Sequence, residues 1–175
     1  DVVFMHSASG GVGLLLCQWA KARGATVIGT ASSASKCKEI LKAGAKHAID
    51  TSKKDVVKEV AKITKGAGVD VIFDPVGKDT YEISLGCLKD RGLLASFGGA
   101  SGPVPLVDLN LTRASLFNWT ANRPDLIHSS KRVFAMIRSG KVKVKINQRY
   151  PLKDAPRLHK DIESRKLTGI SMLVP

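Results

Sequence analysis

Apolar runs and amphipathic segments alternate along most of this 175-residue chain, with glycine or serine at many of the breaks. The run 69–74 is short, apolar and rich in β-branched residues, which is typical of a buried strand. The segment 55–64 places Val56, Val60 and Ile63 on one helical face. Strands that alternate with helices in this way predict an α/β fold, with helices on both faces of a parallel sheet.

The bounds of the predicted elements follow from this alternation. Strands are predicted at 1–6, 26–30, 48–50, 69–74, 93–97, 142–149 and 170–174. Helices are predicted at 11–23, 34–43, 55–64, 79–88, 130–139 and 152–165. Ser33 or Ser35 is the candidate cap of the second helix, and Thr51 or Ser52 that of the third.

A glycine-rich turn lies between the first predicted strand and the first predicted helix. Its spacing is Ala-x-Gly-x-x-Gly over residues 8–13, a variant of the dinucleotide-binding pattern with alanine first. Gly10 would let the backbone approach a pyrophosphate, and Gly13 would let the helix pack closely on the strand. The alternative is a glycine-rich turn that binds nothing. The strand–turn–helix context favours a dinucleotide at the helix N-terminus.

These features together predict a Rossmann-type doubly wound sheet. The break at Tyr150-Pro151 divides the chain into a nucleotide-binding domain of residues 1–149 and a C-terminal segment of residues 150–175. The chain is in a predicted strand almost from Asp1, so we expect it to be a piece of a longer protein.

The residues after the second strand indicate which dinucleotide is bound. NAD-binding domains place an acidic residue there, on the ribose 2′-hydroxyl. Residues 31–36 contain no acid but carry three serines and Lys36. A cation with small hydroxyl groups suits a 2′-phosphate, so NADP(H) is favoured over NAD(H). The alternative is that Lys36 is an ordinary exposed helix lysine.

The formal net charge of +13 raises the question of an acidic partner. The basic residues are scattered, which favours a solvated basic surface over a nucleic-acid site. Two Trp, two Tyr and five Phe provide no evident stacking platform for bases. No apolar run approaches the roughly 20 residues of a membrane-spanning helix.

The cysteine spacing predicts no metal centre, and the two candidate acid–base residues are interpreted as structural. The three cysteines are far apart and no Cys-x-x-Cys occurs, so no structural zinc site is evident. Cys17 and Cys87 lie in apolar helical patterns and are interpreted as unreactive core thiols, which fits a cytoplasmic protein. His6 is interpreted as structural. Asp74 is expected to cap a helix or bind loop backbone rather than act as a base.

With these residues in view, the chain resembles the quinone oxidoreductase (zeta-crystallin-like) branch of the medium-chain dehydrogenase/reductase superfamily. The residues that carry the resemblance are 8–13, 18–21, 28–30, 74–77, 96–98, 150–155 and 163–165. The resemblance implies a zinc-free enzyme that passes a hydride from NADPH to a quinone-type acceptor. No catalytic residue is assigned from it.

The resemblance also implies a set of cofactor-binding residues. They are Gly10, Gly11, Val12 and Gly13 at the pyrophosphate; Ser32, Lys36, Thr51 and Arg165 at the 2′-phosphate; Val76 on the adenosine side; and Phe97, Gly98 and Arg113 along the rest of the cleft. Thr51 stands where bacterial relatives have a tyrosine, so its contact with the phosphate is the least secure of these.

Two further departures concern whole segments. A short stretch that pairs subunits in relatives is missing between Asn110 and Thr112, which weakens the expectation of a homodimer for the full-length protein. The GroES-like catalytic domain that precedes this point in relatives is absent from the chain.

The alternative functions left open are an enoyl-thioester or alkenal reductase, a zinc alcohol dehydrogenase whose ligands lie elsewhere, and an RNA-binding or structural crystallin-like protein.

Overall fold

A computed structural model describes residues 1–104 and 120–175. Its strands within these ranges are β1 (Val2–Met5), β2 (Thr26–Ala31), β3 (His47–Asp50), β4 (Val69–Asp74), β5 (Leu88–Ser96), β6 (Ile146–Pro151) and β7 (Ile170–Val174). Its helices are α1 (Gly11–Ala22), α2 (Ala34–Lys42), α3 (Val56–Thr64), α4 (Tyr81–Cys87), α5 (Arg123–Arg138) and α6 (Ala155–Glu163). A short 3₁₀ turn, Leu152–Asp154, precedes α6.

The main sheet is parallel, with the strand order β3-β2-β1-β4-β5. The chain moves outward from β1 to β3 and then returns to place β4 on the other side of β1. The carboxyl ends of β1 and β4 therefore form the topological switch point, where ligands of such sheets bind. The predicted doubly wound Rossmann-type sheet is confirmed.

The two faces of the sheet have separate cores. Met5 packs with Cys17 of α1 and Ile40 of α2 on one face. Its neighbour Phe4 points to the opposite face and packs with Val60 of α3. Successive residues of a strand point to opposite sides, so the apolar run of β1 supplies both cores and holds the loop that follows it between two packed layers.

The predicted cap of α2 is confirmed, and the predicted caps of α3 are wrong. Ser33 caps α2, with its Oγ accepting from the Lys36 N–H at 3.4 Å, as predicted. Neither Thr51 nor Ser52 caps α3, because Asp55 does so, accepting from the Lys58 N–H at 3.1 Å. That carboxylate lies immediately before the first helical residue, whereas Thr51 and Ser52 still belong to the turn after β3.

The predicted strand 142–149 is wrong at its beginning, since β6 begins only at Ile146. Val142 is buried, and the next residue is held as a loop against α1. The Lys143 N–H donates to Gln18 Oε1 at 2.7 Å, and the Gln18 side-chain amide donates to the Lys143 carbonyl at 3.2 Å. These bonds occupy the backbone groups of Lys143 that a strand would use for pairing.

The helix predicted at 130–139 begins seven residues earlier. Asn122 caps α5, accepting from the Asp125 N–H at 2.9 Å, and Pro124 stands in its first turn. Both are helix-start signals that the prediction overlooked. None of the helices in the described part of the chain is long and apolar enough to cross a membrane.

The C-terminal strands β6 and β7 form a parallel pair of their own. β6 continues through Tyr150 and Pro151, the residues at the predicted domain boundary, and the Tyr150 hydroxyl donates to Asp161 at 2.9 Å. The pair meets the main domain through a bridge between Gly10 and Gly169. The division at residues 149 and 150 remains a prediction.

Candidate cofactor site

The glycine loop is held by the end of β2. The Ala8 N–H donates to the Thr30 carbonyl at 2.9 Å, and the Ser7 N–H donates to the Thr30 hydroxyl at 3.3 Å. Ser7 adopts a left-handed backbone with φ of 50°, which turns the chain sharply after β1. These contacts give the loop a defined shape, and sequence reasoning did not identify Thr30 as its support.

The two glycines predicted to matter most differ in their surroundings. A Cβ on Gly13 would lie 2.6 Å from the Ala8 carbonyl oxygen and 2.7 Å from Ala8 Cα. A Cβ on Gly10 would have no contact closer than 3.4 Å, to the Ser7 carbonyl oxygen. Gly13 is therefore required for the close packing of α1 on the loop, as predicted. At Gly10, where the prediction puts the pyrophosphate, the space is much less crowded than at Gly13.

The N-terminus of α1 points at this space. Gly10 is its N-cap and offers no side chain to the first N–H groups of the helix, and the first turn contains no acidic residue. Val12 in that turn is 58% exposed. Unpaired N–H groups and the positive end of the helix dipole make such a terminus suitable for an anion.

The predicted 2′-phosphate residues gather at the end of β2. The Lys36 ammonium donates to the main-chain carbonyl of Arg165, a residue 129 positions later in the sequence. Ser32 is exposed beside them, and the hydroxyls of Ser33 and Ser35 lie 3.1 Å apart. The structure thus brings the Lys36 amine to the Arg165 backbone, with Ser32, Ser33 and Ser35 next to Lys36 in the sequence.

Thr51 lies next to this cluster, at the end of β3. Its hydroxyl donates to the Ala31 carbonyl at 3.2 Å, and its N–H donates to the same oxygen at 2.8 Å. The hydroxyl hydrogen is therefore engaged with the end of β2. The contact between Thr51 and a phosphate remains a prediction.

On the other side of the switch point, Asp74 organises the turn after β4. This buried carboxylate accepts from the N–H groups of Val76 at 2.8 Å and Gly77 at 3.2 Å, and from the Thr80 hydroxyl at 2.8 Å. The interpretation that Asp74 binds loop backbone is confirmed. Val76 is thereby positioned at the edge of the cleft.

Phe97 and Gly98 follow β5 at the same edge of the sheet. The Phe97 N–H donates to the Asp74 carbonyl at 2.9 Å. A Cβ on Gly98 would lie 2.4 Å from the Pro75 carbonyl oxygen, so glycine alone fits where the two turns meet. The ring of Phe97 is 36% exposed and is available to line the cleft.

His6, at the end of β1, lies beneath this cleft. It is 3% exposed, and its Nε2 lies 2.9 Å from the Ser84 hydroxyl of α4. Burial lowers the pKa of His6 to about 4, although the nearby Asp74 carboxylate opposes the shift. A buried, neutral imidazole that holds a helix fits the structural interpretation. Sequence reasoning missed its partner Ser84, because 78 residues separate the two.

The cysteines are consistent with their predicted inertness. All three are free and buried, and burial raises the pKa of Cys17 and of Cys87 to about 11. In residues 1–104 and 120–175, no group of three or more His, Cys, Asp or Glu side chains could hold a metal ion.

Gly11, also predicted to bind the cofactor, is the first residue of α1. Arg113, another predicted site residue, lies outside the described residues. The predicted missing stretch between Asn110 and Thr112 lies outside them as well.

Comparison with known proteins shows the family to which the chain belongs. A family model described as zinc-binding dehydrogenase matches residues 11–139, and the chain belongs to this family. Its sequence is 48% identical to a quinone oxidoreductase of Salmonella typhimurium over 181 residues, covering 97% of this chain and 55% of the relative. A 2-haloacrylate reductase of a Burkholderia species is 37% identical, with 100% and 56% covered.

A solved structure gives the same result. The quinone oxidoreductase of Escherichia coli, determined in complex with NADPH, matches with a TM-score of 0.93 and 45% identity. It covers 100% of this chain and 57% of that one. The predicted membership of the quinone oxidoreductase branch of the medium-chain dehydrogenase/reductase superfamily is confirmed.

The chain spans little more than half the length of the curated relatives it matches. The Salmonella alignment also has more positions than the 175 residues of this chain, so that relative has residues with no counterpart here.

Proposed function

We propose that this protein is an NADPH-dependent quinone oxidoreductase and that this chain is its cofactor-binding half. The observation that carries the proposal is the cluster of Lys36, Arg165 and three serines at the end of β2, beside an open glycine loop. The relatives named above, one of them solved with NADPH, support it.

The residues present fit the two anionic groups of NADPH. The first turn of α1 and the open space at Gly10 suit the pyrophosphate. The Lys36 ammonium has three N–H donors, so its bond to the Arg165 carbonyl leaves two for the 2′-phosphate. The carbonyl oxygen holds the amine at the end of β2, and we propose that the exposed Arg165 side chain supplies a second cation for the phosphate.

The chemistry supplied by the bound cofactor is hydride donation from its nicotinamide ring. The contribution of this chain is to position the cofactor. Phe97 and Gly98 form the wall at the end of β5, and Asp74 orders the adjoining turn. We assign no general acid or base here, since His6 is buried and bonded to Ser84.

Calorimetric titration of the protein with NADPH and NADH tests the cofactor preference. Lys36→Met should weaken NADPH binding about ten- to hundredfold, because a charged hydrogen bond contributes about 1.5–3 kcal/mol. NADH binding should change little. Lys38→Met, on an exposed position of the same helix, is the control and should leave both affinities unchanged. Equal affinity of the unmodified protein for NADPH and NADH would overturn the proposal.

A second candidate function is reduction of an activated alkene. The 37% identity to a 2-haloacrylate reductase favours it, and hydride transfer to an alkene would need the same cofactor site with a different acceptor. Rates of NADPH oxidation with a benzoquinone and with 2-chloroacrylate would discriminate between the two. A higher kcat/KM for the benzoquinone supports the first proposal, and a higher value for 2-chloroacrylate supports the second.

The remaining partner and location predictions are part of the same proposal. We propose a cytoplasmic enzyme, which the three free buried cysteines support, and a homodimer of the full-length protein.

We also propose weak RNA binding, for which the net charge of +13 is the basis. A salt titration tests this binding, which should fall steeply with added salt if phosphate contacts dominate.

A further inference from the structure

A second concave site lies outside the proposed cofactor cleft. A cavity of about 260 Å³ opens between α1, α2 and the C-terminal part of the chain. Its apolar lining comes from half-buried side chains, namely Leu14, Leu15, Ala43 and Ile170. Gly11 is the only residue that it shares with the predicted cofactor set, so the cavity is largely separate from the cofactor cleft.

The walls of this cavity are fixed by hydrogen bonds across long sequence distances. Gln18 of α1 and the backbone of Lys143 bond to each other twice, at 2.7 and 3.2 Å. Asn147 Oδ1 accepts from the Ile170 N–H at 3.3 Å, which links β6 to β7 at the opposite wall. A Cβ on Gly11 would lie only 3.1 Å from Ile170 Cγ1. The cavity is therefore formed in advance.

The rim of the cavity is positively charged. Lys42, Lys143 and Lys145 line it, against the single carboxylate of Glu39. Glu39 pairs with Lys42 at 2.8 Å. The bond to Lys42 holds the pKa of Glu39 below its usual range, with a smaller contribution from Lys145. Among the described residues, Lys143 and Lys145 take part in none of the ion pairs within 4 Å.

We propose that this cavity binds a small organic anion with an apolar tail, such as a carboxylate of about six carbons. The anionic group would lie between Lys143 and Lys145, and the tail would lie along Leu14, Leu15 and Ile170. The volume is slightly below the roughly 300–1,000 Å³ of pockets for drug-sized ligands, which favours a small molecule. An apolar lining and a cationic rim together favour a ligand that has an apolar tail and an anionic group.

Titration of the isotopically labelled protein with hexanoate, followed by amide NMR shifts at constant ionic strength, tests the proposal. Shifts should concentrate on residues of the lining, in particular Gly11, Leu15, Gln18, Lys143 and Ile170. Hexanoate should bind at least tenfold more tightly than acetate, which lacks the tail, and than 1-hexanol, which lacks the charge. Shifts spread over the basic surface, or equal binding of acetate, would overturn the proposal.

Two variants locate the site independently. Lys143→Gln combined with Lys145→Gln should weaken hexanoate binding at least tenfold, and Ala43→Leu should do the same by filling the apolar part. Lys38→Gln combined with Lys131→Gln is the matched control, because it removes the same charge from exposed positions outside the lining. If the control variant weakened hexanoate binding equally, the overall positive charge of the protein would explain the effect, and the assignment of the site would be overturned. The comparison of ligands on the unmodified protein remains decisive if a variant fails to fold.

Discussion

The floor and the rim of the proposed cofactor cleft are built in different ways. The floor consists of His6, Gly13 and Asp74, which are buried and in close contact with neighbouring elements. The rim contains Ser32 and Arg165, which are exposed, and Lys36, which is half-buried. Buried polar groups affect the free energy of unfolding strongly, because they cannot exchange their hydrogen-bond partners for water. The floor should therefore control stability, and the rim should control the affinity for ligand.

The largest expected effect concerns the floor and is a loss of stability in acid. The pKa of His6 is about 4 in the folded state, against 6.5 in the unfolded chain. Between these values the unfolded state binds the proton and the folded state does not, so stability falls as the pH is lowered from about 6.5 to 4. The shift corresponds to about 3 kcal/mol at 1.36 kcal/mol per unit.

Denaturant unfolding at a series of pH values measures this loss. His6→Gln removes the titrating group and keeps a polar side chain near Ser84, so its stability should depend less on pH in this window. A profile as steep in His6→Gln as in the unmodified protein would show that other groups cause the acid sensitivity.

The second effect compares two glycines of the same loop. Gly13→Ala should destabilise the fold by about 2 kcal/mol, because the new Cβ would clash with the Ala8 backbone. Alanine is favoured over glycine in a helix by about 1 kcal/mol, so a net loss would demonstrate the clash. Gly10→Ala, where the nearest atom is 3.4 Å away, should cost less than about 1 kcal/mol. Equilibrium unfolding of both variants checks the difference, and similar losses would contradict it.

The smallest effect comes from comparing the α2 cap Ser33 with its exposed neighbour Ser32 at the rim. Ser33→Ala removes the α2 cap and should cost about 0.5–1 kcal/mol. Ser32→Ala, at the exposed neighbouring position, should change the free energy of unfolding by less than about 0.5 kcal/mol. Thermal unfolding of the two variants measures both values. A loss at Ser32 as large as that at Ser33 would show that the rim also supports the fold.

Much of the proposed site was open to prediction from local sequence. The glycine spacing, the absence of an acid after the second strand and the presence of Lys36 are all short-range features. Element bounds failed where competing local signals were present. Asp55 displaced the predicted caps of α3, and Asn122 moved the beginning of α5.

The sequence by itself determined the α/β alternation, the position of the glycine loop and the proposal of a 2′-phosphate site, because each depends on residues close together in the chain. Only the tertiary structure decided that Ser84 holds His6 and that Lys143 closes a second cavity against α1. Such contacts depend on how packed layers orient helices and loops from distant parts of the chain. Local periodicity carries no information about that orientation.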